Sequence, residues 1–147
     1  HSTTPRFSIE RIGRKFEQLG GVRARTIAEA LWRDPGDPSL LEPYIEICMP
    51  LYNTKRRDPA AMRDWGIENP DVLTHFYSWG GEGHRFDFRD QLRTITCPTL
   101  VISGTEDPIC PIEDAADIAA ALRPELSTFI PFENCGHGLN LDDPAGF

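Results

Sequence analysis

The sequence predicts an α/β fold: an aromatic-rich helical half, then a β-α-β-α piece of a parallel sheet. Three observations carry this. Apolar residues recur at helical spacing through residues 8–84. Thr99-Leu-Val-Ile-Ser103 is too apolar and too short for anything but a buried strand. Leu126–Phe132 reads as a second strand, and a helical stretch from Pro111 to about Leu122 separates the two. The texture changes near Arg85, which divides the chain into residues 1–85 and 86–147.

The first helix starts near Ser8 and places Phe7, Ile9, Ile12, Phe16 and Leu19 on one face. Gly20-Gly21 stops it, because glycine takes the left-handed conformation at low cost. A second helix follows, with Val22, Ile27, Leu31 and Trp32 as its apolar side. Asp37 caps a third helix that has Pro38 at its first position. Leu41, Ile45, Cys48 and Met49 form that helix's stripe, and Pro50 ends it. Residues 53–60 read as a loop and Ala60–Trp65 as a short helix. Asn69-Pro70 opens a helix carrying Val72, Leu73, Phe76 and Tyr77, which the glycines at 80, 81 and 83 close. Phe88 and Leu92 suggest a helical turn before the first strand. After Pro111, residues Ile112, Ala115, Ala119 and Leu122 face inward, and Asp143-Pro144 opens a last helix.

At 147 residues the chain is long enough for a core of its own. Apolar residues make up 39% and charged residues 26%, a globular rather than disordered balance. The net charge of -8 gives no basic footprint for nucleic acid or anionic lipid. No apolar run approaches the roughly 18 residues of a membrane span. Cys48, Cys97, Cys110 and Cys135 lack the close pairs of a small secreted scaffold. Reduced thiols in a cytoplasmic protein are the expectation. A zinc site from Cys110, Cys135 and His137 lacks the usual ligand spacing.

The chemistry concentrates after the two strands. Gly104-Thr-Glu-Asp107 follows the first, and Cys135-Gly-His137-Gly138 follows the second. Open α/β sheets build their sites at such C-terminal strand ends. Asp107 and His137 therefore read as the acid and base of a hydrolytic triad, in the order acid then base. Glu106 is the rival acid, and Asp107 equally suits a turn or a cap for the following helix. Gly136 and Gly138 leave room for an imidazole on a tight loop. His75 and His84 lack such a setting and read as surface residues. No cofactor is required by this chemistry.

Cys97-Pro-Thr-Leu-Val-Ile-Ser-Gly-Thr-Glu-Asp-Pro-Ile-Cys-Pro111 and Phe132-Glu-Asn-Cys-Gly-His-Gly138 resemble the C-terminal part of the α/β-hydrolase fold. The resemblance covers residues 86–147 and assigns the triad acid to Asp107 and the base to His137. It implies that residues 8–84 form a helical cap inserted before this part of a partial fold. Met49-Pro-Leu-Tyr-Asn53 is similar to the cap of proline-iminopeptidase-like hydrolases, in which cap carboxylates hold a substrate amine; Glu42 and Glu46 are the candidates. Trp32, Tyr52 and Trp79 are candidate rings over an apolar substrate pocket.

The departure from the pattern is a missing nucleophile. No Gly-x-Ser-x-Gly elbow occurs: Ser78 follows Phe76 by two positions, and Ser103 lies inside a strand. Cys135 is too close to His137 in sequence to replace it. The expectation is a C-terminal fragment of a serine hydrolase that cleaves ester or amide bonds of a small-molecule or peptide substrate. Alone, such a chain is inactive. Its open sheet edge calls for the N-terminal half of the core or a second copy. The alternative is a non-catalytic binding or interaction module derived from the same fold.

Overall fold

The computed structural model describes residues 3–55 and 70–147. The expected Ala60–Trp65 helix and most of the preceding loop lie outside these residues, as does Asn69.

Helix α1 (Ile9–Arg33) begins where the Ser8 hydroxyl accepts from the Arg11 amide, the expected cap. Gly21, at φ +77°, breaks the helix without ending it. The chain kinks there and resumes at once, so the two expected helices are two arms of one element. Helix α2 (Pro38–Ile47) has Asp37 as its cap, with the carboxylate accepting from the Ser39 amide at 2.9 Å. Pro50 falls inside a short 3-10 turn, Met49–Leu51. Three short helices follow: α3 (Pro70–Tyr77), α4 (Glu82–Arg85) and α5 (Arg89–Leu92).

Ile12, Phe16, Ala24, Ala28, Tyr44, Cys48 and Met49 form the core of this helical part. Leu41 was expected in that stripe but is 49% exposed. Tyr44 takes its place, one helical step round. His84 is not the surface residue its setting suggested. Its Nε2 lies 2.7 Å from the Trp32 carbonyl and its Nδ1 3.0 Å from the Ser78 carbonyl. Those carbonyls stand at the C-terminal ends of α1 and α3, where backbone acceptors lack helical partners. The ring also packs edge-on against Phe7, with centroids 4.7 Å apart.

Strands β1 (Thr99–Gly104) and β2 (Ser127–Phe132) pair in parallel, with Thr99 opposite Ser127 and Gly104 opposite Phe132. Helix α6 (Ile112–Ala121) connects them and covers one face. Val101, Ala115, Ile118 and Leu122 form this second core. Leu100 and Ile130, on the other face, are 59% and 45% exposed. The expected burial of β1 is on its α6 face, and the other face stands open. Helix α7 (Leu139–Asp142) precedes the point where a last helix was expected. Asp143 ends it, its amide donating to the Leu139 carbonyl, and also caps the turn that follows, its Oδ1 accepting from the Gly146 amide at 3.0 Å.

Arg11 fastens the helical part to α6. Its Nη1 reaches Asp114 Oδ1 at 2.5 Å and Asp117 Oδ2 at 2.7 Å. Burial raises the Asp114 carboxyl above its ordinary range, against the pull of Arg11. The folded state therefore favours protonated Asp114, and ionisation opposes folding as pH rises through the raised value. Removing Arg11 leaves that charge uncompensated. Arg11→Ala should cost about 3 kcal/mol at neutral pH. The loss should shrink at acid pH, as Asp114 takes up its proton. Denaturant titration of both proteins at pH 7 and pH 4 measures the difference.

Candidate active site

Strand β1 ends at Gly104 because the chain must turn against the loop that follows β2. A Cβ at Gly104 would collide with the Cys135 and Gly136 carbonyl oxygens. The glycine is needed for this close approach, not for an unusual φ. Two backbone bonds extend the contact beyond the strands: Thr105 N–H to the Phe132 carbonyl at 3.0 Å, and Glu106 N–H to the Cys135 carbonyl at 2.8 Å. Asn134, at φ +56°, turns the chain out of β2. Asparagine tolerates that conformation better than most residues.

Asp107 is fully buried. Its Oδ1 accepts from the Ile109 amide at 2.8 Å and the Cys110 amide at 2.9 Å. Both oxygens face His137 Nδ1, Oδ2 at 3.0 Å and Oδ1 at 3.2 Å. One carboxylate thus holds the turn and at the same time faces the imidazole. The two amides fix its rotation, and the fixed carboxylate presents lone pairs to the imidazole. Such contact sets the proton on Nδ1 and leaves Nε2 as the nitrogen able to take a proton from a nucleophile. The rival, Glu106, turns away and pairs with Lys15 at 3.0 Å.

The second loop is held as closely. The His137 amide donates to the Tyr52 carbonyl at 2.6 Å. A Cβ at Gly136 would strike the Tyr52 backbone, and one at Gly138 would press on the Asn53 amide group. The Tyr52 ring meets the His137 ring edge-on, with centroids 5.9 Å apart. Its hydroxyl pairs with that of Tyr44 at 2.7 Å. Burial raises both phenols above their ordinary range, so both stay neutral.

Of the candidate binding residues, Tyr52 lies beside His137. Trp32 lines a cavity of about 430 Å³ together with Phe7, Tyr77, Ile109 and Cys110. Ile109 and Cys110 belong to the turn that Asp107 caps, so the cavity reaches the back of the acid. Trp79 is 70% exposed, on the rim of a second hollow with Ser8 and His84. Glu42 and Glu46 are exposed on α2 and line neither.

The sulfur and nitrogen grouping that the sequence disfavoured as a zinc site does not assemble with those three members. Asp107, Cys110 and His137 bring potential ligand atoms within 4.8 Å of one another, and Cys135 is not among them. The chemistry of that set favours hydrogen bonding over metal binding. Asp107 already accepts four contacts, and burial raises the Cys110 thiol far from its thiolate form. Ser103 is buried, with its hydroxyl lacking a partner among the described residues, and cannot reach a substrate.

Sequence reasoning passed over Asp142, which binds the His137 loop to residues 53–55. Its Oδ2 accepts from the amides of Gly136 at 2.7 Å and Thr54 at 3.0 Å, and from Asn53 Nδ2 at 3.2 Å. Its Oδ1 accepts from the Lys55 amide at 3.1 Å. Burial pushes its pKa up, but these donors outweigh it and hold the carboxyl below its ordinary range. The signal was present as Asp142-Asp143-Pro144. The acid beside the proline carries the plainer capping signal, and the one before it faces inward.

Comparison with known proteins follows the same lines. No protein-family profile matches the chain. A stretch of 52 residues is 36% identical to an AB hydrolase superfamily protein, YisY, of Bacillus subtilis, covering 35% of this chain and 19% of that protein. The structure is similar to the esterase EaEST from Exiguobacterium antarcticum, with a TM-score of 0.53 and 23% identity over 96% of this chain. It is also similar to Est816, described as an N-acyl homoserine lactone degrading enzyme, with a TM-score of 0.52 and 15% identity over 93% of this chain. The chain spans 46% and 51% of those two proteins, about half of each.

Thiol reactivity checks the packing of this region. Cys97 is exposed, whereas Cys48, Cys110 and Cys135 are buried. Burial raises the Cys48 thiol to about 12 and those of Cys110 and Cys135 above their ordinary value. A chromogenic disulfide reagent at pH 8 should titrate Cys97 rapidly and the other three only after unfolding in guanidinium. Rapid native-state reaction of Cys110 would show that the turn behind Asp107 is open.

The parallel β1-α6-β2 unit, the helical part before it and these similarities together make this a partial α/β-hydrolase fold, and they support the α/β-hydrolase superfamily.

Proposed function

We propose that this chain supplies the acid and base of a Ser-His-Asp triad in an esterase-like serine hydrolase. The serine belongs to residues outside these 147. The observation that carries the reading is the pair of contacts from His137 Nδ1 to the buried Asp107 carboxylate. The pair sits just past the C-terminal ends of adjacent parallel strands, where this fold class assembles sites.

In this reading Nε2 of His137 takes the proton from the serine hydroxyl as that oxygen attacks the acyl carbon. Asp107 stabilises the resulting imidazolium and keeps the ring from turning. Nε2 then returns the proton to the departing alcohol or amine, and water repeats the sequence to release the acid. The exposed apolar face of Leu100 and Ile130 favours a further layer packed over it, as parallel sheets are covered on both faces. Residues 8–84 act as a cap, and the cavity lined by Trp32, Phe7 and Tyr77 receives an apolar acyl or alcohol group. The esterase and lactone-degrading descriptions of the two structural neighbours favour an ester over an amide bond. The exposure of Glu42 and Glu46 gives the proline-iminopeptidase subtype no support.

The test uses the uninterrupted gene product containing this chain, assayed with p-nitrophenyl esters of short straight-chain acids. His137→Ala should abolish turnover while leaving the circular dichroism spectrum unchanged. Asp107→Asn should lower kcat by about 10⁴, the size of effect that loss of the correct tautomer produces. The 147-residue chain by itself should hydrolyse nothing above background. Normal turnover in His137→Ala would defeat the proposal. Ligand binding with no ester turnover in the whole product would favour the non-catalytic module.

A further inference from the structure

The base of this site is held by a carboxylate that takes no direct part in the chemistry. We infer that Asp142 is the positioning residue for His137: its one buried carboxylate locks the base's loop to the segment that follows α2. The inference rests on the reading of His137 as the base.

The geometry is specific. Asp142 is 7% exposed and collects four N–H donors. One comes from Gly136, immediately before His137. Three come from Asn53, Thr54 and Lys55, in the other half of the chain. Asn53 closes the circuit, donating from the same Nδ2 to the Gly138 carbonyl at 3.1 Å. The His137 amide donates to Tyr52. Residues 136, 137 and 138 are therefore each tied to 52–55, directly or through Asp142. Thr54 adds a further tie, its hydroxyl donating to the Asn134 carbonyl at 2.8 Å. The β1 side holds the same loop at its other flank, through the Glu106 amide on the Cys135 carbonyl and the Thr105 hydroxyl accepting from the Asn134 amide. Gly136 and Gly138 flank His137 without side chains of their own to anchor it, and α7 is a single turn.

The chemistry of the carboxylate matters because all four of its contacts are donors. The amide introduced by Asp142→Asn has the same shape but offers one oxygen and one NH₂. Whichever way that amide turned, its NH₂ would oppose at least one backbone N–H. A loop released on that side would let the imidazole drift from the nucleophile. A misplacement of about 1 Å costs on the order of 10² in rate.

Two measurements test this, one without any activity. In the 147-residue chain, Asp142→Asn should speed amide hydrogen exchange at Gly136, Thr54 and Lys55 at least about tenfold, leaving exchange in β1, α6 and β2 unchanged. In the whole gene product, the same variant should lower kcat about 10²-fold with KM little changed, and Asp142→Glu should recover part of the loss. Should Asp142→Asn unfold, Asn53→Ala removes two of the ties and should lower kcat about tenfold. Wild-type exchange at the three amides would overturn the inference. So would wild-type kcat in both Asp142→Asn and Asn53→Ala while His137→Ala is inactive. If His137→Ala keeps full activity, the hydrolase reading falls, and the exchange measurement still decides whether Asp142 holds the loop.

Discussion

Everything in the site depends on how closely two turns approach each other. The backbone after Gly104 lies against the carbonyls of Cys135 and Gly136, with no room for a side chain between them. That contact, continued by the Thr105 and Glu106 amides, extends the β1–β2 pairing past the last strand residues. Only then can a carboxylate on one turn and an imidazole on the other meet at 3.0 Å. The parallel register matters for the same reason, because both strands deliver their ends to the same edge.

Among the described residues, three carboxylates are buried, each stabilised differently. Asp107 is met by two amides and an imidazole, which fixes its direction. Asp114 is met by a guanidinium and still titrates high, because burial outweighs the attraction. Asp142 is met by four N–H groups and titrates low. The contrast shows what several convergent hydrogen bonds achieve that one partly exposed cation does not. It also separates their work. Arg11 and Asp114 join the helical part to α6, whereas Asp142 joins it to the His137 loop. The site is therefore a junction, and neither half of the chain holds it alone.

Strong local signals made much of this legible in the sequence. The apolar run after Pro98, the Asp37-Pro38 cap and the spacing of Ala115 and Leu122 each depend on near neighbours, and each element formed. Asp107 and His137 could be named because they follow strands in a fixed order. What was illegible came from contacts distant in sequence. Leu41 and Tyr44 share a helix, and only the packing of α1 decides which is buried. His84 draws its role from carbonyls at 32 and 78, and Asp142 from amides at 53–55 and 136. The use of Gly104 is the space it leaves for the Cys135 and Gly136 carbonyls, far along the chain. Asp143-Pro144 opened a capped turn as its local signal indicates, whereas α7 just before it carried no such signal.

The central claim is that Asp107 holds His137 with the proton on Nδ1. Long-range ¹H–¹⁵N correlation of the imidazole reports that tautomer directly, in the chain as it stands. At a pH where the ring is neutral, the account predicts a protonated Nδ1 and a bare Nε2, with the preference lost when residue 107 cannot accept. A His137 ring protonated at Nε2 with Nδ1 bare would contradict it.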